Sequence, residues 1–171
     1  MNKETLLVEE LVNTTLYRMD ESTRLIKKSL TEISEEEVWL KPNESLNSIA
    51  NLILHLCGNI TQYIISSLGE TEDIRERDLE FSTTKSLNKS ELLTKLEATV
   101  DSAKRVISDS DPKQLLKIRV VQGFSYSGVG VILHVVEHYS YHTGQIAFWV
   151  KQLKNKDLDF YKGRDLNTKN K

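Results

Sequence analysis

The stretch SYSGVGVILHVVEHYSYHTGQIAFWV, residues 125–150, contains one charged side chain, that of Glu137. Another stretch, residues 45–69, contains no Asp, Glu, Lys or Arg at all. A helix with so little charge has few positions suited to water, so most of its surface has to be buried. We therefore predict that residues 48–68 and 127–154 form the two more buried helices of an all-α domain.

Two further segments, residues 3–29 and 89–108, carry charge throughout and repeat apolar residues at steps of three and four. That spacing predicts amphipathic helices with one face on a core. Residues 118–123 are β-prone and are expected to form an extended connection. The whole pattern predicts a four-helix bundle over residues 1–156, followed by a polar C-terminal tail over residues 157–171.

The composition is that of one ordinary domain. With 171 residues, 7 Gly and 2 Pro, the chain is long enough for its own core and has few helix breakers. The net charge of −2 argues against nucleic-acid binding and against an anionic membrane surface. One cysteine, Cys57, and a start without an apolar signal segment predict a reducing cytoplasm. Polar side chains within residues 48–68 argue against a membrane span.

The four histidines carry the strongest functional signal. His134, His138 and His142 are four residues apart, so they follow roughly one stripe of the last helix. On the other uncharged helix, His55 shares a polar stripe with Asn51 and Asn59. Buried polar groups without partners are costly, and a metal ion is the simplest common partner for neutral imidazoles. Core histidines joined by hydrogen bonds are the alternative, and which three would bind an ion stays open.

The run from His134 to His138 also matches the H-x-x-E-H pattern of one class of metallopeptidase, in which Glu137 would be the general base. That class needs a further Glu ligand downstream, and no Glu follows Glu137 in this chain. A peptidase is therefore disfavoured. Cys57 follows His55 by two residues, which turns it away from the histidine, and we expect it to be a small buried hydrophobe.

Three segments resemble the DinB-like family in the order in which that family has them. SIANLILHLCGN at residues 48–59 is similar to its second helix, and HVVEHYSYHTGQI at residues 134–146 is similar to its last long helix. RERDLEF at residues 75–81 is similar to a segment of one uncharacterised DinB subgroup. The resemblance implies an up-down-down-up four-helix bundle that often forms a homodimer.

The resemblance also implies a divalent metal, nickel or zinc, held by His55, His138 and His142. His134 would then be a neighbour or an alternative ligand. Several DinB-like proteins use a low-molecular-weight thiol such as bacillithiol or mycothiol and act as S-transferases or isomerases. Thr143 stands where family members often carry an arginine, which puts a basic group beside the metal in doubt.

Several other side chains are candidates as well, most of them with two interpretations. Gln145 is expected to orient a ligand or substrate. Asn51 and Asn59 are either partners of the metal ligands or ordinary buried amides, and Tyr139 and Tyr141 either line a pocket or pack. Residues 75–81 are either an anion-binding rim or, as we favour, a solvated loop with weak ion pairs.

The sequence thus predicts a metal-dependent enzyme of the thiol S-transferase or hydrolase type, acting on a small-molecule substrate. A non-catalytic bundle that binds metal or a small ligand, for example in a stress response, is the alternative. A purely structural bundle with a histidine-filled core is the third.

Overall fold

A computed structural model describes residues 3–170. Its long helices are α1 (Lys3–Thr31), α2 (Ile49–Ile60), α4 (Lys89–Asp109) and α6 (Gly128–Lys154). Short helices α3 (Arg77–Ser82) and α5 (Pro112–Leu116) lie in the connections, with a 3-10 turn at Glu37–Trp39. Strands β1 (Arg119–Val121) and β2 (Phe124–Tyr126) form an antiparallel hairpin where an extended connection was predicted.

Helix starts are fixed by local side-chain caps. Ser48 accepts from the backbone N–H of Asn51 while Asn51 accepts from that of Ser48, and Asn88 and Glu91 form the same reciprocal pair. Each pair satisfies two backbone donors that a helix start would otherwise leave free. Ser127 caps α6 through the backbone N–H of Gly130. The predicted starts of these helices are therefore confirmed to within a residue.

The second long helix changes its winding along its length. After Ile60 it continues as a π-helix over Thr61–Leu68, and the backbone N–H of Gly69 bonds the carbonyl of Ile64 at 2.9 Å. A Cβ at position 69 would lie 2.5 Å from the carbonyl oxygen of Ile65, so only glycine fits this helix end. π-Helical turns often accompany functional sites, and this one begins at Thr61, six residues after His55.

The four long helices form the predicted up-down-down-up bundle. Cross-helix contacts show that α1 is parallel to α6. Thr23 contacts Tyr139, and further along α1, Lys28 donates to the carbonyl of Asp159 beyond the end of α6. Helices α1 and α4 are antiparallel. Lys27 of α1 pairs with Glu97 of α4, whereas the earlier Asp20 of α1 pairs with the later Lys104 of α4. Because α2 and α4 are parallel neighbours, the chain needs a long crossover between them, residues 69–88, which carries α3 across α2.

The core lies between the four helices and is built from apolar side chains of all of them, such as Met19, Ile53, Leu96 and Ile146. Beyond α6, the start of the tail packs on α1, because Leu158 is buried and Lys28 donates to the carbonyl of Asp159. Among residues 3–170, no helix combines the length and the apolar character that crossing a membrane requires.

Candidate metal centre

Three histidines meet in the interior between α2 and α6. His55 comes from α2, and His138 and His142 come from successive turns of α6. One ring nitrogen of each lies within 4.8 Å of the others, and the Nε2 atoms of His55 and His138 are 2.9 Å apart. The same three side chains were the ligands implied by the resemblance to DinB-like proteins.

Hydrogen bonds fix the ring orientation of two of these histidines. His55 Nδ1 lies 2.8 Å from a carboxylate oxygen of Glu80, and His142 Nδ1 lies 2.7 Å from the side-chain oxygen of Gln145. Both oxygens only accept, so each Nδ1 carries a proton, and in the neutral ring each Nε2 then keeps its lone pair. Gln145 is itself oriented, because its amide nitrogen donates to the hydroxyl of Tyr141 at 3.0 Å. A free Nε2 lone pair is what a metal ligand needs.

Burial favours the neutral forms of His138 and His142. Burial lowers the pKa of His138 to about 3, assisted by repulsion from His142, His55, His134 and Arg75. Burial likewise lowers the pKa of His142, against a hydrogen bond to Gln145 that acts in the opposite direction. Neutral imidazoles at physiological pH can bind a cation without first losing a proton.

An ion pair behind His55 was not expected from the sequence. The side chains of Arg75 and Glu80 are only 2% and 9% exposed, so the prediction of a solvated loop over residues 75–81 is wrong for these two. Arg75 donates from Nε to one oxygen of Glu80 at 2.7 Å and from Nη2 to the other at 2.9 Å. Burial acts to raise the pKa of Glu80, but the hydrogen bonds from Arg75 and His55 outweigh it and lower the pKa.

The remaining polar candidates lie around the cluster without joining it. His134 stacks on Tyr63 with ring centroids 4.2 Å apart, and its buried Nε2 has no partner among the described residues. Asn51 donates to the carbonyls of Glu80 and Thr83, so its link to the cluster runs through the crossover. The buried side-chain oxygen of Asn59 also has no partner within residues 3–170.

Other side chains singled out in the sequence serve the core or the surface. Cys57 is buried, and burial raises the pKa of its thiol to about 11, which suits a packed hydrophobe rather than a nucleophile. Tyr139 is buried with its hydroxyl on Thr23, so it packs, whereas Tyr141 is exposed beside Gln145. Glu137 is exposed, away from the three-histidine cluster, which weakens the peptidase hypothesis further.

Thr143, which stands where DinB-like proteins often have arginine, bonds the carbonyl of Tyr139 and presents no charge. A guanidinium nevertheless reaches this region from another element, because Nη2 of Arg75 lies 3.2 Å from His55 Nδ1. This guanidinium lies behind His55 and is paired with both oxygens of Glu80.

A family model described as a protein of unknown function, DUF1572, matches residues 7–162. The chain belongs to the DUF1572 family. No curated protein matches the DUF1572 chain. Solved structures do match it, and they confirm the predicted DinB-like four-helix bundle.

Two of these structures come from Bacillus subtilis. A DinB-like protein, YjoA, is 18% identical, with 91% of the DUF1572 chain and 99% of that chain covered and a TM-score of 0.65. YfiT, described as a probable metal-dependent hydrolase with an unusual four-helix bundle topology, is 12% identical, with 90% of each chain covered and a TM-score of 0.69. A conserved protein from Enterococcus faecalis is 16% identical over 91% of the DUF1572 chain and all of its own, with a TM-score of 0.63.

The donor set of the DUF1572 chain fits a divalent transition metal. Imidazole nitrogens suit zinc, nickel, copper and iron alike, and three protein ligands leave room for a further one. The fixed tautomers of His55 and His142 add to the fit, because ligating histidines usually donate their other ring N–H to an oxygen. His55, His138 and His142 could therefore hold a metal ion.

Proposed function

We propose that this protein is a divalent-metal-dependent enzyme that acts on a small molecule, of the thiol S-transferase or hydrolase type. The observation that carries the proposal is the convergence of three imidazoles from two helices. Two of the three have their outer nitrogen tied to an oxygen acceptor. The acceptors on Nδ1 leave the Nε2 lone pairs of His55 and His142 available to an ion.

Each side chain of the cluster has a task that follows from its contacts. His55, His138 and His142 would hold nickel or zinc, and a bound ion of this kind lowers the pKa of a thiol or a water molecule so that it becomes a nucleophile at neutral pH. Glu80 and Gln145 orient His55 and His142.

A groove beside His142 offers room for a substrate. It has a volume of about 380 Å³ and runs between the segment before α2 and the second half of α6. Its walls include His142 and Gln145 together with the apolar side chains of Leu46 and Phe148, the latter 70% exposed. A small molecule with an apolar portion could lie there with its reacting group at the cluster, as substrate pockets commonly combine apolar walls with few polar groups.

The type of reaction is inferred from the relatives. YfiT is described as a probable metal-dependent hydrolase, which supports the hydrolase version. The resemblance to DinB-like proteins supports transfer to a low-molecular-weight thiol such as bacillithiol. In the thiol version, the nucleophile would come from the cosubstrate, because the chain's own thiol at Cys57 is buried with a raised pKa. Homodimerisation and a cytoplasmic location stay predictions from the sequence.

Elemental analysis of protein purified without a His-tag or nickel resin tests the metal. We expect close to one equivalent of nickel or zinc per chain, or uptake of one equivalent by metal-free protein. No bound metal and no uptake would contradict the proposal. Turnover of an electrophile with bacillithiol, or of an ester or amide without thiol, would then distinguish transfer from hydrolysis.

A non-catalytic bundle that binds metal or a small ligand shares the same cluster, so metal content does not separate it from an enzyme. Such a non-catalytic bundle would bind metal tightly and would turn over none of the thiol, ester and amide substrates. The purely structural alternative predicts that apolar replacement of His55, His138 and His142 together stabilises the protein, because polar burial is removed. It also predicts that metal-free wild type takes up no ion.

A further inference from the structure

The crossover between α2 and α4 holds the ion pair of Arg75 and Glu80 against His55. Neither residue lies on a long helix, and both are buried although they belong to a connection. Burial removes much of the water around both charges and is therefore costly in free energy. This cost suggests that the ion pair has a role at His55.

The contacts of His55 Nδ1 decide which ring nitrogen carries the proton. A carboxylate oxygen of Glu80 is 2.8 Å away and can only accept, so a proton has to lie on Nδ1. Nη2 of Arg75 is 3.2 Å from the same nitrogen, but it donates at the shorter distance of 2.9 Å to Glu80. The lone pair of His55 is therefore on Nε2, which faces His138.

We propose that Glu80, clamped by Arg75, is the positioning residue that sets the tautomer and ring orientation of His55 for metal binding. This inference rests on the proposed metal-dependent function and names a residue that acts on the ion only through His55. Partners of this kind typically contribute a factor of about 10–100 to metal affinity.

Both ends of Glu80 are fixed by other elements. Its backbone carbonyl accepts from the side-chain amide of Asn51 at 3.0 Å, which ties α3 to the first turn of α2. On its other side, Arg75 is anchored by Nη1, which donates to the side-chain oxygen of Gln62 in the π-helical segment at 2.8 Å. The carboxylate is thus held from both sides, as a positioning group has to be.

Gly58 provides the space that the carboxylate occupies. A Cβ built on Gly58 would lie 1.8 Å from Oε1 of Glu80 and 3.0 Å from Nε of Arg75. Any larger residue at position 58 would therefore push the ion pair away from α2 and from His55, which is one turn earlier on the same helix. This glycine gives a way to displace Glu80 without changing either charged residue.

The experiment compares metal affinity and His55 tautomer in matched variants. Metal-free protein is titrated with Zn²⁺ alone against a chromophoric chelator, and the ¹⁵N shifts of His55 are recorded without metal. We expect Glu80→Gln and Gly58→Ala each to weaken Zn²⁺ binding by about 10–100-fold. We also expect the Nδ1–H tautomer of wild-type His55 to be mixed with the Nε2–H form in both variants.

Two controls separate positioning from general destabilisation. Glu37→Gln removes another carboxylate in an ion pair, which lies 2.6 Å from Lys154 and away from the cluster. Gly144→Ala adds a Cβ inside a helix, where it would meet no atom within 4 Å apart from its chain neighbours and the backbone of its own helix. Both should keep wild-type Zn²⁺ affinity and the wild-type His55 tautomer.

Wild-type affinity and tautomer in folded Glu80→Gln and Gly58→Ala would overturn the proposal. An Nε2–H tautomer in wild-type protein would overturn it without any variant, so the test survives if Glu80→Gln fails to fold. If wild type binds neither zinc nor nickel, the proposed function fails, while the tautomer still decides whether Glu80 positions His55.

Discussion

The Nε2 atoms of His55 and His138 lie 2.9 Å apart, although 83 residues separate the two in the chain. Because Glu80 fixes the proton of His55 on Nδ1, His138 is the donor in this contact. A cation that binds both nitrogens would have to displace this hydrogen bond. The contact therefore marks the point at which metal binding and the packing of α2 on α6 are coupled.

The first prediction separates ligands from neighbours. His138→Ala should lower the affinity for Zn²⁺ by more than the about 10–100-fold expected for losing a partner of a ligand, because one of three ligands is lost. His134→Ala should leave the affinity close to that of wild type, since His134 lies outside the three-nitrogen cluster. Chelator competition measures both, and the opposite order would make His134 the ligand.

The second prediction concerns stability. If only the folded state forms the centre, Zn²⁺ at a free concentration 100 times the dissociation constant should raise the free energy of unfolding by about 2.7 kcal/mol. Denaturant unfolding with and without the ion measures the rise. In His55→Ala the rise should largely vanish at the same ion concentration, and an equal rise there would show that the ion stabilises the protein elsewhere.

The third prediction is a loss of stability of the metal-free protein on mild acidification. Burial lowers the pKa of His138 to about 3, whereas an unfolded histidine titrates near about 6.5. Below pH about 6.5 the unfolded state thus binds more protons than the folded state, so the free energy of unfolding decreases as the pH falls. The lowered pKa values of His134 and His142 act in the same direction.

The free energy of unfolding is measured with denaturant in the presence of a chelator, at pH values from about 6.5 down to about 4.5. Because most carboxylates titrate below this range, the change in stability reports mainly on the histidines. His138→Gln should show a flatter dependence on pH than wild type over this window. A wild-type stability that is constant or increases on acidification would contradict the buried neutral state of these rings.

The fourth prediction distinguishes packing from pocket lining among the tyrosines. Tyr139→Phe removes a buried hydrogen bond of 2.8 Å to Thr23, which still bonds the carbonyl of Met19. It should cost about 1 kcal/mol of unfolding free energy and leave Zn²⁺ affinity unchanged. Tyr141→Phe, at a side chain that is 61% exposed, should change stability little. Thermal unfolding and chelator competition measure the two effects, and a weaker affinity in Tyr139→Phe would place that residue at the site.

The sequence by itself determined the bundle and the neighbourhood of the candidate site. The low charge of residues 45–69 and 125–150 shows which helices are buried, since burial of unpaired charge is costly. The four-residue spacing of His134, His138 and His142 puts them on one stripe, because it nearly matches the helical repeat.

Only the tertiary structure decided which histidines meet and what supports them. His134 and His142 are about 12 Å apart along the axis, so the position of His55 against α6 selects His138 and His142. Arg75 and Glu80 lie in a connection without periodicity, so their burial depends on Asn51 and on the space above Gly58, both on another element. Local sequence sets helical faces, whereas contacts between distant segments are set by how the faces pack.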